Sequence, residues 1–425
     1  MEKALNDYFD EHIEDPVYRK NKQQGSGKNI KSWMNNGKRY IDIGGNPVEI
    51  SHCLTFHDFL FFFFKINFGD DWLENANNNH PLKIWYKKPQ AFIAQQKTNS
   101  KGFYKVSCTG AVNAILRLSY NLYLLAHNVE LQKSLIKRLK QVEQFQGAYY
   151  KTYVAAYLIY SGFKLGIENE SDGSTKHHDY IIENPETGVK YAVEVKLCSR
   201  KNVLGSVAGN DSFKSVGDHL YGALSKPTNN KRIIFIEMNT DRNDWFKVVN
   251  EILDQKEQTL TVNKKPAASA YLLLTNTNYH YHEDDTGYSV NNIFTGFKID
   301  DFHKNPQTYV ELIENKISYI DCLELFTNMQ NFEIPSTFNG ENPNIEFSSN
   351  KTNGIIQEVI NHQKNIGSKS NIEMYNFYFQ SFRNETKEKL LEFIDPQRLY
   401  PVLEDFSQER LAKLHCRLLS FYRRF

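Results

Sequence analysis

The chain has 425 residues, with 51 Lys and Arg against 50 Asp and Glu and a net charge of +1, which excludes a uniformly basic nucleic-acid coat and a polyacidic tail protein; any hold on a polyanion must come from a local patch. Hydrophobic residues make up 40% and aromatic residues 14%, enough for a large core and too much for intrinsic disorder. The mean hydropathy is −0.58, and the longest apolar run, Phe59 to Phe64, is six residues where a spanning helix needs about 20, so no membrane contact is expected.

The length suits two or three domains at roughly 100–200 residues each. Met1, Glu2 and Lys3, followed by Asp7, Asp10 and Glu11, lack the charged-then-apolar order of a signal peptide. Five scattered cysteines (Cys53, Cys108, Cys198, Cys322 and Cys416) form no CxxC pair, which argues against a disulfide framework or a cysteine zinc site. A cytoplasmic location is the expectation.

Taken in order, residues 1–140 read as a mainly helical N-terminal region. Residues 19–39 within it read as a loop or basic arm, carrying Arg19, Lys20, Lys22, Lys28, Lys31, Lys38 and Arg39 with no acidic residue. Such an arm is either a solvated loop or a phosphate-contacting segment. Residues 55–74 and 111–140 have helical apolar spacing, and the aromatic run in the first is simplest as core.

Residues 141–305 read as a mixed α/β domain. A helix over 145–162 ends at Gly162. β-like runs follow at 163–167, 180–183 and 190–197, then a helix over 212–225 closed by Pro227. Strands at 232–238 and 270–275 complete the pattern, and strand–helix–strand implies a right-handed parallel crossover. Residues 306–425 read as a mainly helical C-terminal region around a polar stretch at 339–354.

The chemistry concentrates in Lys176 to Arg200. In the strand 190–197, Tyr191, Val193, Val195 and Leu197 share one face, and Ala192, Glu194 and Lys196 share the other. Asn184 to Gly188 are turn formers. A hairpin symmetric about that turn pairs Glu183 with Lys190 and Tyr180 with Val193, which sets Asp179 opposite Glu194, with Cβ atoms about 4.5–5.5 Å apart. Two carboxylates so close repel unless a divalent cation lies between them, and Mg²⁺ accepts one or two carboxylates plus waters and phosphate oxygens. Lys196, beside them, is placed to stabilise phosphate charge or to orient or deprotonate a water. The plainer reading is an edge strand whose solvated face carries a cross-strand ion pair.

Asp179, then fourteen residues, then Glu194-Val195-Lys196, resembles the PD-(D/E)xK superfamily of restriction-endonuclease-like nucleases. The order helix, strand, strand with Asp, strand with ExK, helix, strand agrees with it over roughly 145–240. The resemblance implies a central mixed sheet of that type and a Mg²⁺- or Mn²⁺-dependent nuclease acting on nucleic acid, DNA ahead of RNA, in restriction, repair or phage defence. It implies Asp179 and Glu194 as metal ligands, the Val195 carbonyl as a third, and Lys196 as the catalytic lysine. Lys151 stands where many members carry a further helix glutamate, and Glu143, Glu168 and Glu170 are the acidic residues nearby in sequence. The alternative is a non-catalytic nucleic-acid-binding or scaffold subunit on a decayed nuclease fold. A protein partner or a homo-oligomer is compatible with both.

Other features weigh less. His280 and His282 (YHYHEDD) offer a metal pair but read better as a polar loop. His177 and His178 face opposite ways on a strand, so at most one reaches a substrate. Ser199, Arg200 and Lys201 follow the ExK strand where α/β sheets bind ligands. Lys133, Lys137, Arg138 and Lys140, and likewise Arg410, Lys413, Arg417 and Arg424, are basic stripes, ordinarily solvated helix faces. No GxxxxGK[ST], HExxH or GxSxG occurs.

Overall fold

A computed structural model of the protein describes residues 32–95, 107–167, 177–185, 188–200, 204, 212–303, 318–330, 332–335 and 338. The chain forms two units, one of residues 1–300 with 321–338 and one of residues 301–320 with 339–425. Of the second, only 301–303 and 318–320 are described. The polar stretch at 339–354 and the basic stripe from Arg410 to Arg424 lie outside the described residues.

The first unit opens on a small antiparallel sheet, β1 (Ser32–Asn35), β2 (Lys38–Ile43) and β3 (Asn46–Glu49). This corrects the reading of 19–39 as an irregular arm. Asn36 and Gly37 take positive φ values of 51° and 75°, the conformation a two-residue hairpin turn requires, so Lys38 and Arg39 begin a strand. Lys38 pairs with Glu49 at 2.9 Å, and the Arg39 guanidinium lies 4.6 Å from the centre of the Phe338 ring. Residues 19–31 lie outside the described residues.

Helices α1 (Phe56–Phe68), α2 (Asp70–Asn75), α3 (Pro81–Gln95), α4 (Gly110–Leu124), α5 (Val129–Leu139) and α6 (Val142–Tyr160) follow. Thr55 and Asp58 cap α1 reciprocally, and Gly69, at φ 80°, separates it from α2. Phe56, Phe59 and Phe63 are buried and meet Tyr120 or Tyr123 edge-on, and the buried Phe64 stacks on Tyr86, so the aromatic run is core. Helix α6 ends ahead of Gly162, at φ 88°.

The central sheet has six strands in the order β11-β10-β7-β6-β5-β4. These are β4 (Lys164–Gly166), β5 (Tyr180–Glu183), β6 (Lys190–Leu197), β7 (Lys231–Glu237), β10 (Ala270–Thr277) and β11 (Val290–Phe297). Strands β6, β7 and β10 run parallel, linked by α7 (Ser212–Leu224) and α8 (Trp245–Thr259); β4, β5 and β11 are antiparallel to their neighbours. A short hairpin, β8 (Thr261–Val262) with β9 (Lys265–Pro266), follows α8. The architecture is therefore mixed α/β.

One sheet face (Ile234, Ile236, Leu272 and Leu274) packs with Val216 and Leu220 of α7 and Val249 of α8. Helix α6 packs on the opposite face, where the hydroxyls of Tyr150 and Thr275 are 2.7 Å apart. On return from the second unit the chain forms α9 (Ile320–Gln330). The buried Asp321 there accepts hydrogen bonds from Asn184 Nδ2 at 2.9 Å and the Tyr191 hydroxyl at 2.8 Å.

Gly110 fixes how α4 meets the loop after β10. Its N–H donates to the carbonyls of His282 at 2.9 Å and Asp285 at 3.0 Å, and a Cβ at this position would run into the carbonyl oxygens of Tyr279 and His282. Gly110→Ala is expected to cost about 1–3 kcal/mol by forced backbone displacement. Urea unfolding checks it, and an unchanged midpoint would contradict the close approach.

Candidate active site

The β5–β6 hairpin has the register its turn implies: Tyr180 opposes Val193, Ile181 opposes Ala192, Ile182 opposes Tyr191 and Glu183 opposes Lys190. Gly188, at φ 68°, closes the turn by donating to the Asn184 carbonyl at 2.8 Å. Asp179 lies one residue ahead of β5 and so in line with Glu194. Its Oδ2 accepts the Val195 N–H at 2.8 Å, and the carboxylate thus takes over from the ladder where the strands part.

Strand β6 is internal, flanked by β5 and β7, so the edge-strand reading fails. By register Glu194 and Lys196 share the sheet face of Ile234 and Ile236, beneath α7. Glu194 is only 2% exposed, and a carboxylate so buried must be compensated. The His178 Nδ1 is 3.0 Å and the Lys226 Nζ 2.6 Å from its Oε1, and the Lys196 Nζ is 2.7 Å from its Oε2. Burial pushes the Glu194 pKa up, but the His178 hydrogen bond, the Lys196 charge and the Lys226 contact outweigh it and bring it down to about 2.

Asp179 is compensated in the same way, its Oδ1 paired with the Lys151 ammonium from α6. The Tyr180 hydroxyl donates to the Lys151 carbonyl at 3.1 Å and ties that turn of helix to the start of β5. Lys226, just past α7, also donates to the His177 carbonyl at 2.5 Å, and the His178 Nε2 faces the Pro227 carbonyl at 3.3 Å. The fold thus joins Glu194 with Lys196, Lys226 and His178 in one network and Asp179 with Lys151 in another, and the Val195 N–H bonded by Asp179 links the start of β5 to the strand that carries Glu194 and Lys196.

Lys226 carries no signal in sequence. It follows a helix and precedes a proline, and only the α7 crossover delivers it to Glu194. Glu143 does not join the site: it is exposed in the first turn of α6, about 12 Å along the helix from Lys151. Glu168 and Glu170 lie outside the described residues. The His280–Asp285 segment docks on α3 instead of forming a metal centre. Glu283 accepts from Trp85 Nε1 at 3.0 Å, Lys88 pairs with Glu283 and Asp284, and His282 pairs with Asp285. Lys140, which follows α5, lies over Phe68 and Trp72, and Arg138 in its last turn bonds Gln144 at 3.2 Å. Arg200 is described at the end of β6, and Lys201 is not.

The chain matches no family model, no curated protein and no solved structure. Among the described residues no helix is long and apolar enough to cross a membrane. Among them, too, no three His, Cys, Asp or Glu residues gather into a metal-holding group. The donor set therefore offers two carboxylates. Such hard oxygen donors suit Mg²⁺ or Mn²⁺, with waters and phosphate oxygens completing the shell. Both Glu194 oxygens are engaged, Oε1 by His178 and Lys226 and Oε2 by Lys196 at 2.7 Å. In kind the two carboxylates suit such an ion, but each is already paired with lysine ammoniums and no contact joins them.

A second buried carboxylate, Glu237 at the end of β7, lies on the opposite sheet face. It accepts from the Thr275 hydroxyl at 2.5 Å, from the Thr277 N–H at 2.7 Å and from the Thr277 hydroxyl at 3.1 Å. Burial raises its pKa despite these bonds, because all the donors are neutral. Two glutamates of one sheet are thus shifted in opposite directions, Glu194 by its cations and Glu237 by its lack of them.

Proposed function

We propose that the protein is a metal-dependent nuclease that hydrolyses phosphodiester bonds, in DNA ahead of RNA, on a sheet of the restriction-endonuclease-like type. What supports this reading is Glu194 and Lys196 on the internal strand β6, with Asp179 just ahead of its partner β5 and bonded to the Val195 N–H, in the element order α6, β4, β5, β6, α7, β7. Asp179 and Glu194 would hold Mg²⁺ or Mn²⁺, which when bound supplies Lewis-acid stabilisation and a more acidic water. His178 and Lys226 keep the Glu194 carboxylate ionised and aimed. Lys196, on a flexible stem 23% exposed, turns from Glu194 to a phosphate oxygen and holds positive charge where negative charge develops. A cytoplasmic role in restriction, repair or phage defence accords with this chemistry.

Lys151 on Asp179 favours a second reading, a nucleic-acid-binding or scaffold subunit whose acids serve only as counter-charges. The deciding experiment is cleavage of linear, circular and single-stranded DNA and of RNA, with Mg²⁺ or Mn²⁺, by the wild type beside Lys196→Ala. Wild-type cleavage that falls about a hundredfold or more in the variant is the expected result. Equal cleavage by both would remove Lys196 from the chemistry. No cleavage and no heat of Mn²⁺ binding in calorimetry would leave the second reading.

A further inference from the structure

We infer that the ammoniums of Lys196 and Lys226 form a binding site for a phosphate group, one that needs no metal ion. The inference goes beyond the nuclease reading, because it concerns the hold on a phosphate and stands whether or not a bond is cut. The charges of this cluster are layered. The side chains of Glu194 and Asp179 are 3% and 11% exposed, against 19%, 23% and 18% for Lys151, Lys196 and Lys226. The acids lie beneath and the ammoniums reach solvent, so an incoming ion meets positive charge first. A phosphate group complements that surface: it is anionic and offers several acceptor oxygens to charged donors.

Donors are left over for it. An ammonium has three N–H groups. Among the described residues Lys196 meets one acceptor, Glu194 Oε2 at 2.7 Å, and Lys226 meets two, Glu194 Oε1 at 2.6 Å and the His177 carbonyl at 2.5 Å. The two lysines thus stand on opposite oxygens of one carboxylate, close enough for a single tetrahedral anion to span them. Glu194 acts here as a spacer, and the His178 Nδ1, 3.0 Å from its Oε1, fixes its orientation. Arg232 adds positive charge at the root of Lys226. It lies opposite Ala192, so alternation sets it on the sheet face of Glu194 and Lys196. Its guanidinium donates to the Lys226 carbonyl at 3.3 Å, and its Nε is buried with no hydrogen-bond partner. A buried cation short of acceptors is costly, and an anion beside it offsets the cost.

Binding to the full chain in EDTA tests this without reference to turnover. Inorganic phosphate is titrated by calorimetry, with acetate as the control anion, and short labelled single-stranded DNA is followed by anisotropy. The wild type binds phosphate in preference to acetate. Lys196→Met keeps the stem, removes the charge, and weakens phosphate about tenfold. Lys133→Met, an exposed lysine of α5, leaves phosphate binding unchanged. Circular-dichroism melts show which variants are folded, and Lys196→Gln carries the test where Lys196→Met is not. Phosphate that displaces the DNA assigns the site to a nucleic-acid backbone, and phosphate that binds without displacing it assigns the site to the free ion; either upholds it. No phosphate binding, equal binding of acetate, or full binding by a folded Lys196 variant overturns the inference, and Mg²⁺-dependent cleavage beside such a result leaves the nuclease reading in place. Phosphate bound in EDTA with no cleavage under any condition upholds the inference and overturns the nuclease reading alone.

Discussion

Glu194→Gln is expected to destabilise the protein by about 3–5 kcal/mol, which would show as a large fall in the urea midpoint at neutral pH. The side chain keeps its volume, so the loss is electrostatic. Glu194 is 2% exposed and is the shared counter-charge of Lys196 and Lys226 and a partner of His178. An amide leaves two ammoniums beneath α7 facing a neutral group, and its NH₂ points a donor at donors. Glu237→Gln is the control on the same sheet. Glu237 has only neutral donors, so losing its charge relieves a burial cost, and the Thr275 hydroxyl can turn to accept. That variant should stay within about 1 kcal/mol of the wild type. Equal losses in both would mean that charge is not what Glu194 contributes.

The second large effect is loss of stability in acid. Glu194 has a folded pKa of about 2 against an ordinary value of 4.5. A depressed carboxylate stabilises the folded state in full above its unfolded pKa, and the contribution fades as pH falls towards the folded value. The window is therefore pH 4.5 down to about 2, and the amount is about 3 kcal/mol. Glu237 acts in the opposite sense and outside this window: its pKa is raised, so the cost of charging it is relieved as pH falls towards its ordinary value of 4.5, before the Glu194 loss begins. Urea unfolding at steps through this window, on wild type and Glu194→Gln, should show a wild-type slope that the variant lacks. Parallel curves would show that other groups govern acid unfolding.

The hairpin register was legible in sequence because two local signals agree. The turn formers Asn184 to Gly188 set the centre, and side-chain alternation set which residues share a face. Asp179 in line with Glu194, one residue before the paired Tyr180 and Val193, follows from extending that register. The parallel neighbour β7 was legible from its apolar run and the intervening helix. The compensating cations were not, because Lys151 and Lys226 arrive from a helix interior and a helix end, 28 residues before Asp179 and 32 after Glu194. Strand β11 hid behind its polar stretch Asn291-Asn292, which suits an edge. The β1–β2 hairpin did carry a signal, Asn36-Gly37, but the surrounding lysines favoured a loop reading.

The Asp321 carboxylate holds both the turn and the strand of the hairpin that bears the candidate site, through Asn184, 137 residues earlier, and Tyr191, 130 residues earlier. During vectorial synthesis, the hairpin therefore leaves the ribosome well before its clamp does. A nascent or truncated chain ending short of residue 321 has every acid and lysine of the cluster but lacks the carboxylate that locks Tyr191 three residues from Glu194. Synthesis past residue 321 thereby becomes a condition for a fully braced hairpin.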